Sequence, residues 1–377
     1  MPKKILIICF TDIARDPRVK RQISFLKDSY DITVLGSGDP EVADITYLHC
    51  PFVYNTFWQK IIPFLLLICR KYEDHYWRQS YVQAGMRLLN NRKYDLIIAN
   101  EINSLPLALA ISNGAKILFD AHEYYPSLRD DYFWWKLTFN PYFNYICQTY
   151  LPKTNSMVTV SSGIAAEYQR NFNIPATIIT NAPDLFEITP VKTEPQRIKL
   201  VYHGMAAPTR RIENILNTFR LLDGRFELHL IFSPGSDQKY ITKLKRLALG
   251  LGNISFPPPV SPDRVIDCLS RYDIGIYLFE PTNINNRLAL PNKFFEFIQA
   301  RLAIAIGPSP EMANLVKKFN LGIISKNFKP SAMAIQINSL TAEQIDSFKY
   351  YSDKAAKELC SNENKIRYKN LVEKLIG

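Results

Sequence analysis

A chain of 377 residues exceeds what one ordinary core serves, since domains cluster near roughly 100–200 residues, and two domains of comparable size are expected. A hydrophobic share of 47% with 21% charged residues excludes a disordered chain, and no repeat or low-complexity tract interrupts it. The formal net charge of +11 selects anionic partners, whether nucleic acid, an acidic membrane surface or a phosphorylated small molecule.

The six cysteines (Cys9, Cys50, Cys69, Cys147, Cys268 and Cys360) are scattered and form no CxxC pair, so neither a zinc site nor a disulfide framework is expected. The start runs from two lysines straight into KILIICF, without the apolar length or cleavage site of a secretion signal, and a cytoplasmic location is expected. The longest apolar run, IIPFLLLIC at 61–69, is interrupted by Pro63. It falls short of the roughly 20 residues that span a bilayer.

In chain order, KILIICF reads as a strand, and FTDIARDPRVKRQ leads from it into a helix capped by Asp16 with Arg18 on its first turn. DITVLG, DLIIAN, KILFDAH, SMVTVSS and ATIIT follow, each trailed by helical periodicity, which is the pattern of βα units and a parallel sheet. The proline-containing stretch 181–197 reads as a linker. KLVYHG, FELHLIF, NISF, DIGIYLF, LAIAI and LGIIS then repeat the pattern, and beyond about residue 340 only helical periodicity remains, ending in a basic amphipathic stretch from Asp353 to Ile376. The expected domains are 1–183 and 184–352, with a terminal helix over about 353–377 packing back on the first.

Ligands of open α/β sheets settle beyond the C-terminal ends of the strands, and the motifs fall there. In PNKFFEFIQARLAIAI, 291–306, a proline stands at the expected first turn of a helix, with Lys293 and Glu296 three apart on one face. A cation gains nothing from a helix N-terminus, so a bound anion such as a diphosphate explains Lys293. Glu296, acceptor-only when ionised, suits vicinal sugar hydroxyls. A surface ion pair between the two is the other reading. In YHGMAAPTRRIENIL, 202–216, Thr209 is the expected helix cap, and the backbone beside Gly204 with Arg210 and Arg211 forms an anion cradle that matches neither Walker A nor GxGxxG. For Arg211, solvation or pairing with Glu213 stays open.

FDAHEYYP places Asp120, His122 and Glu123 at a strand end, with His122 either ligand-facing or structural. Arg18 and Arg21 are either anion-binding groups or a solvated basic face. Two aromatic segments, 54–77 and 131–153, interleave rings with lysine and arginine. They suit either an anionic bilayer surface or burial against the sheet.

The order of these motifs resembles glycosyltransferase family 4 over nearly the whole chain. DPRVKRQISFL is similar to the DPRVRR opening of one branch; ANEINSLPLALA and FDAHEYYP resemble its acceptor-side loops; VSSGIAAEY, TNAPD and ALPNKFFEFIQA follow in register. The resemblance implies the GT-B fold of the α/β class, two Rossmann-like doubly wound parallel-sheet domains facing across a cleft. It also implies a retaining hexosyltransferase that uses a nucleotide-diphosphate sugar, with basic side chains in place of a metal and no cofactor. It assigns catalysis to Arg210, Lys293 and His122. The donor falls to Gly204, Arg210, Lys293, Glu296, Asn286 and Pro259, and the acceptor side to Arg18, Glu101 and Glu123.

Glu296 matches the second glutamate of the family's E-x7-E signature, whereas the first falls on Leu288 and leaves its contact to Asn285, Asn286 or Lys293. Met205 replaces an arginine of the family's phosphate site, and Arg210 stands for its lysine. The expected acceptor is a glycan or lipid-linked sugar of surface polysaccharide or glycolipid synthesis, handled by a peripheral protein on the inner membrane face, with no nucleic-acid partner. Three alternatives accompany this reading: a GT-B-like protein that binds without transferring, a GT-B sugar epimerase, and a nucleic-acid binder with steep salt dependence.

Overall fold

The computed structural model describes residues 2–51 and 58–377, with only the backbone for 58–60. In it the β-branched apolar runs become parallel strands. Seven form one sheet: β1 (Lys4–Asp12), β2 (Asp31–Ser37), β3 (Thr46–His49), β4 (Leu96–Asn100), β5 (Lys116–Ala121), β6 (Ser156–Thr159) and β7 (Thr177–Ile178), in the order β3-β2-β1-β4-β5-β6-β7. Six form another: β8 (Ile198–Gly204), β9 (Phe226–Phe232), β10 (Ile254–Ser255), β11 (Ile274–Tyr277), β12 (Ala303–Ile306) and β13 (Gly322–Ile324), in the order β10-β9-β8-β11-β12-β13. Both orders reverse direction beside the first strand of their sheet, which opens a ligand crevice at the C-terminal ends of the strands. β4 and β12 are buried along their whole length, as central strands covered on both faces must be. The short edge strand β3 was not expected from the sequence; its residues are half-buried or exposed and carry no clean alternation.

The chain divides into two compact units. Unit 1 is Met1–Thr180 with Asn283–Asn285 and Lys365–Gly377; unit 2 is Asn181–Thr282 with Asn286–Asn364. In unit 1, helix α1 (Pro17–Leu26) starts as expected: Asp16 accepts from the backbone of Arg18 and Val19, and Pro17 occupies the first turn. Helices α2 (Trp58–Ile68), α3 (Tyr72–Trp77) and α4 (Phe133–Tyr150) carry the aromatic segments, of which residues 54–57 lie outside the described residues. Unit 2 contains α5 (Glu213–Phe219), α6 (Asn292–Gln299) and α7 (Ala342–Glu358).

The terminal helix expected over 353–377 is instead two, α7 and α8 (Ser361–Ile376). The break is tertiary: Leu359 leaves helical geometry at φ −102 and ψ 53, and Ser361 donates its backbone N–H to Pro183 and its hydroxyl to the Asp184 carboxylate. From Lys365 onward the chain belongs to unit 1, where Tyr368, Val372 and Ile376 join the core of Ile5, Ile7, Val19 and Phe25.

Candidate functional site

In unit 2, β8 and β11 are neighbours, and each carries a tyrosine at or near its C-terminal end, Tyr202 two residues before the end of β8 and Tyr277 at the end of β11. The Lys293 amine from α6 lies 4.6 Å from the centre of the Tyr202 ring and 4.8 Å from that of Tyr277, and donates to the Tyr202 hydroxyl at 3.3 Å. Gly204, at φ 130, makes room for it. Its φ is one that residues with a side chain rarely adopt, and a Cβ there would come within 2.7 Å of the Lys293 Nζ and displace the amine from this position. Arg210 lies over the Phe279 ring at 5.3 Å and reaches Tyr277.

Burial first, and the nearby Arg210 second, push the Lys293 amine down to about 7, against the opposing pull of Glu296. The amine is thus only partly protonated near pH 7, and its protonated form is held close to Arg210 with little water around it. That arrangement costs stability in the empty protein and is relieved by an anion. Glu296 faces His203, whose Nε2 is 3.5 Å from its carboxylate. Burial and Lys293 push that imidazole down to about 4, so it is neutral near pH 7.

The sequence reading singled out neither His203 nor the two tyrosines. Their signal was position alone, at the C-terminal ends of β8 and β11. Of the other expected donor residues, Asn286 donates to Thr282 and Pro259 stands exposed after β10. Leu288 is buried and Met205 exposed.

Three local expectations change. Thr209 caps no helix: Pro208–Arg210 form a single 3-10 turn, Arg211 adopts a left-handed conformation, and α5 starts after Ile212, whose N–H is taken by the Tyr240 hydroxyl. Arg211 pairs with Glu280 at 3.2 Å, because Glu213 is already held by Lys243 and the Tyr240 hydroxyl. Pro291 stands at the cap position before α6 and not within its first turn.

Unit 1 gathers a second cluster at the ends of β4 and β5. Arg18 is neither solvated nor presented to a ligand. It is buried, with its fork on Asp120 at 2.8–3.0 Å and Nη1 donating to the Ile179 carbonyl at 2.7 Å. Gln22 also donates to Asp120 and exchanges amide bonds with Asn100 at 2.8 and 2.9 Å. Asn100 in turn accepts from the His122 Nε2 at 3.3 Å, which leaves Nδ1 facing Glu101 at 3.6 Å. Burial lowers the affinity of His122 for a proton, with Arg18 adding to the effect against Asp120.

Burial, with Asp16, Glu123 and Asp120 adding like charge, lifts Glu101 to about 7. Glu101 sits at φ 63 and ψ 157, a region that glycine alone occupies without strain. Glu123 is exposed, and its carbonyl accepts from Tyr168. Asn285 is spent on the backbone of Tyr124, which it binds at 2.6 and 3.0 Å. Among the described residues no group of three or more His, Cys, Asp and Glu side chains is placed to hold a metal ion, and no helix is long and apolar enough to cross a membrane.

Residues 23–185 match the family model Glycosyltransferase Family 4. A comparison with curated proteins returned no significant match. Among solved structures, sucrose-phosphate synthase from Thermosynechococcus elongatus aligns with a TM-score of 0.75 at 12% identity, covering 99% of each chain. A glycosyltransferase from Rickettsia africae aligns at 0.71 with 12% identity, covering 99% of this chain and 98% of that one. Anabaena HepE, solved with UDP and glucose, aligns at 0.68 with 11% identity over 99% and 100%. Two all-parallel α/β sheets of this kind are the GT-B fold.

Proposed function

We infer, from a GT-B chain whose residues 23–185 carry a glycosyltransferase family 4 region, that this glycosyltransferase moves a sugar with retention from a nucleotide diphosphate to a glycan or lipid-linked acceptor without a metal ion. The observation that carries this reading is the Lys293 amine pinned under Gly204 between two tyrosine rings, with Arg210 beside it. Cleavage of the glycosyl–phosphate bond builds charge on the departing diphosphate. Arg210, and Lys293 once the bound diphosphate has protonated it, are fixed in position to stabilise that charge, and the gain is larger in the transition state than in the ground state.

Glu296, oriented by the neutral His203, takes the hydroxyls of the ribose. On the acceptor side the Asp120–Arg18 pair is a positioning element: it fixes Gln22 and Asn100, which set the His122 tautomer toward the sugar. Arg18 itself touches no substrate. The acceptor hydroxyl attacks from the face the diphosphate leaves and passes its proton to the leaving phosphate, so no separate base is needed. Exposed apolar side chains on α2 and α4 favour work at an anionic membrane surface, and six unpaired cysteines among the described residues suit the cytoplasm.

The test is release of nucleotide diphosphate from UDP-, GDP- and ADP-sugars in the presence of a chelator. One donor class is expected to be hydrolysed slowly by the wild type, and Lys293→Ala or Arg210→Ala to slow that release at least about 100-fold. Undiminished release by either variant overturns the reading. The alternative of binding without transfer draws on the apolar Leu288 and Met205. It requires that every donor bind and none turn over.

A further inference from the structure

Unit 1 holds a cavity of about 350 Å³ walled by α2, α3 and α4, within the size range of small-molecule pockets. Its lining is mostly ring and hydrocarbon, with Phe64, Tyr81, Trp135, Phe139, Tyr142 and Phe143 around it. The polar groups that reach it are kept uncharged. His75 binds the Pro63 carbonyl through Nδ1 at 2.7 Å and meets the Gln79 amide with Nε2, and burial lowers its affinity for a proton. The walls are fixed, since Glu73 on α3 accepts from Tyr145 and Tyr150 on α4 at 2.7 and 2.8 Å. The Trp135 indole N–H is buried with no acceptor among the described residues.

On the same helices Phe133 and Trp134 are 68% and 75% exposed, and Phe64, Leu65, Ile68 and Leu137 are exposed as well. The aromatic segments are therefore both core and surface: α4 buries Tyr142, Phe143, Ile146 and Cys147 and offers its first turn to solvent. In sequence α2 and α4 carry two charged residues, Lys60 and Lys136, and the exposed Arg70 and Lys71 follow α2. Exposed carboxylates stand close by as well, Asp74 on α3 and Asp131 just before α4, so the ring and hydrocarbon lining, and not the surrounding charge, is what selects a hydrocarbon chain.

We propose that this cavity receives the hydrocarbon chain of a lipid-linked acceptor and so selects acceptors by their lipid. The Trp135 N–H then meets an ester or phosphate oxygen near the head of that chain. The inference rests on the transferase reading and deepens it by naming the acceptor class.

Calorimetric titration of the full chain with dodecyl phosphate and butyl phosphate, both below micelle-forming concentrations, tests it. The wild type is expected to bind dodecyl phosphate at least about tenfold more tightly than butyl phosphate. Phe139→Trp, which fills the cavity, is expected to remove that difference while leaving nucleotide diphosphate binding unchanged. Dihexanoylphosphatidylglycerol, a soluble two-chain membrane lipid, is expected not to compete; competition would give the cavity to bulk lipid and overturn the inference. Equal wild-type affinities for the two phosphates, or a chain-length dependence that Phe139→Trp does not move, overturn it too, with the nucleotide-sugar reading left standing. If the wild type fails to bind any of UDP, GDP and ADP, that reading fails instead. Phe64→Asp at the mouth serves if circular dichroism shows Phe139→Trp unfolded. The double variant Trp134→Ser, Leu137→Ser is expected to keep dodecyl phosphate binding; its loss would move the chain onto the surface patch and end the cavity assignment.

Discussion

Lys293 sits where folding alone would not put a cation. Its amine is held at about 7, below the 10.4 of a free lysine, so between those values the unfolded chain binds the extra proton and stability rises with pH. The penalty is fully present below pH 7. Lys293→Met is therefore expected to raise unfolding stability by about 1–4 kcal/mol at pH 6.5, with the gain shrinking toward pH 10, as urea melts at several pH values will measure. A gain that does not vary with pH would contradict the linkage.

Arg18 behaves in the opposite way. Removing it strands the buried Asp120 carboxylate, and Arg18→Met is expected to cost about 3–5 kcal/mol in the same melts. The sequence displayed Arg18 only as a cation on a helix start. Its partner stands 102 positions away, so local reasoning left a solvated face and a ligand site as the choices and missed the buried ion pair. Lys293 was easier to read, because a lysine on the first turn of a helix already lacked a local reason to be there.

Among the elements, α8 shows what periodicity conveys and what it leaves out. Its apolar stripe was visible, yet the break at Leu359 and Cys360 was not, since neither residue ends a helix by itself and the stop comes from contacts to Pro183 and Asp184. Tyr368 on α8 is fully buried against Phe25, and its hydroxyl has no partner among the described residues. Tyr368→Phe is expected to stabilise the protein by about 1 kcal/mol by removing an unsatisfied group. Tyr368→Ala is expected to destabilise it by about 3–5 kcal/mol through the cavity left behind. Thermal melts of the two variants should move in opposite directions. The loop after β8 failed differently. Thr209 has the chemistry of a cap, but Arg211 turns left-handed and Tyr240 supplies the acceptor instead.

For the molecule as a whole, the two parallel sheets were legible because buried parallel strands read as short β-branched runs, and all twelve runs quoted from the sequence contain strands. The GT-B fold and the family 4 resemblance follow from those runs and the order of motifs, and the comparisons bear both out. Tyr202, Tyr277 and His203 stayed hidden because a residue that cradles another has no signature apart from the fold that assembles it. The net charge of +11 pointed to an anion, and the structure concentrates two of those charges beside Gly204.

The central claim is that these cations take up a diphosphate without magnesium. Calorimetry of nucleotide diphosphate binding at pH 8 in a chelator, repeated in buffers of different ionisation enthalpy, addresses it directly. An anion re-protonates a lysine held near 7, so the wild type is expected to bind with uptake of about one proton, and Lys293→Met to lose that uptake with most of the affinity. Binding that requires magnesium, or that takes up no proton in the wild type, would contradict the claim.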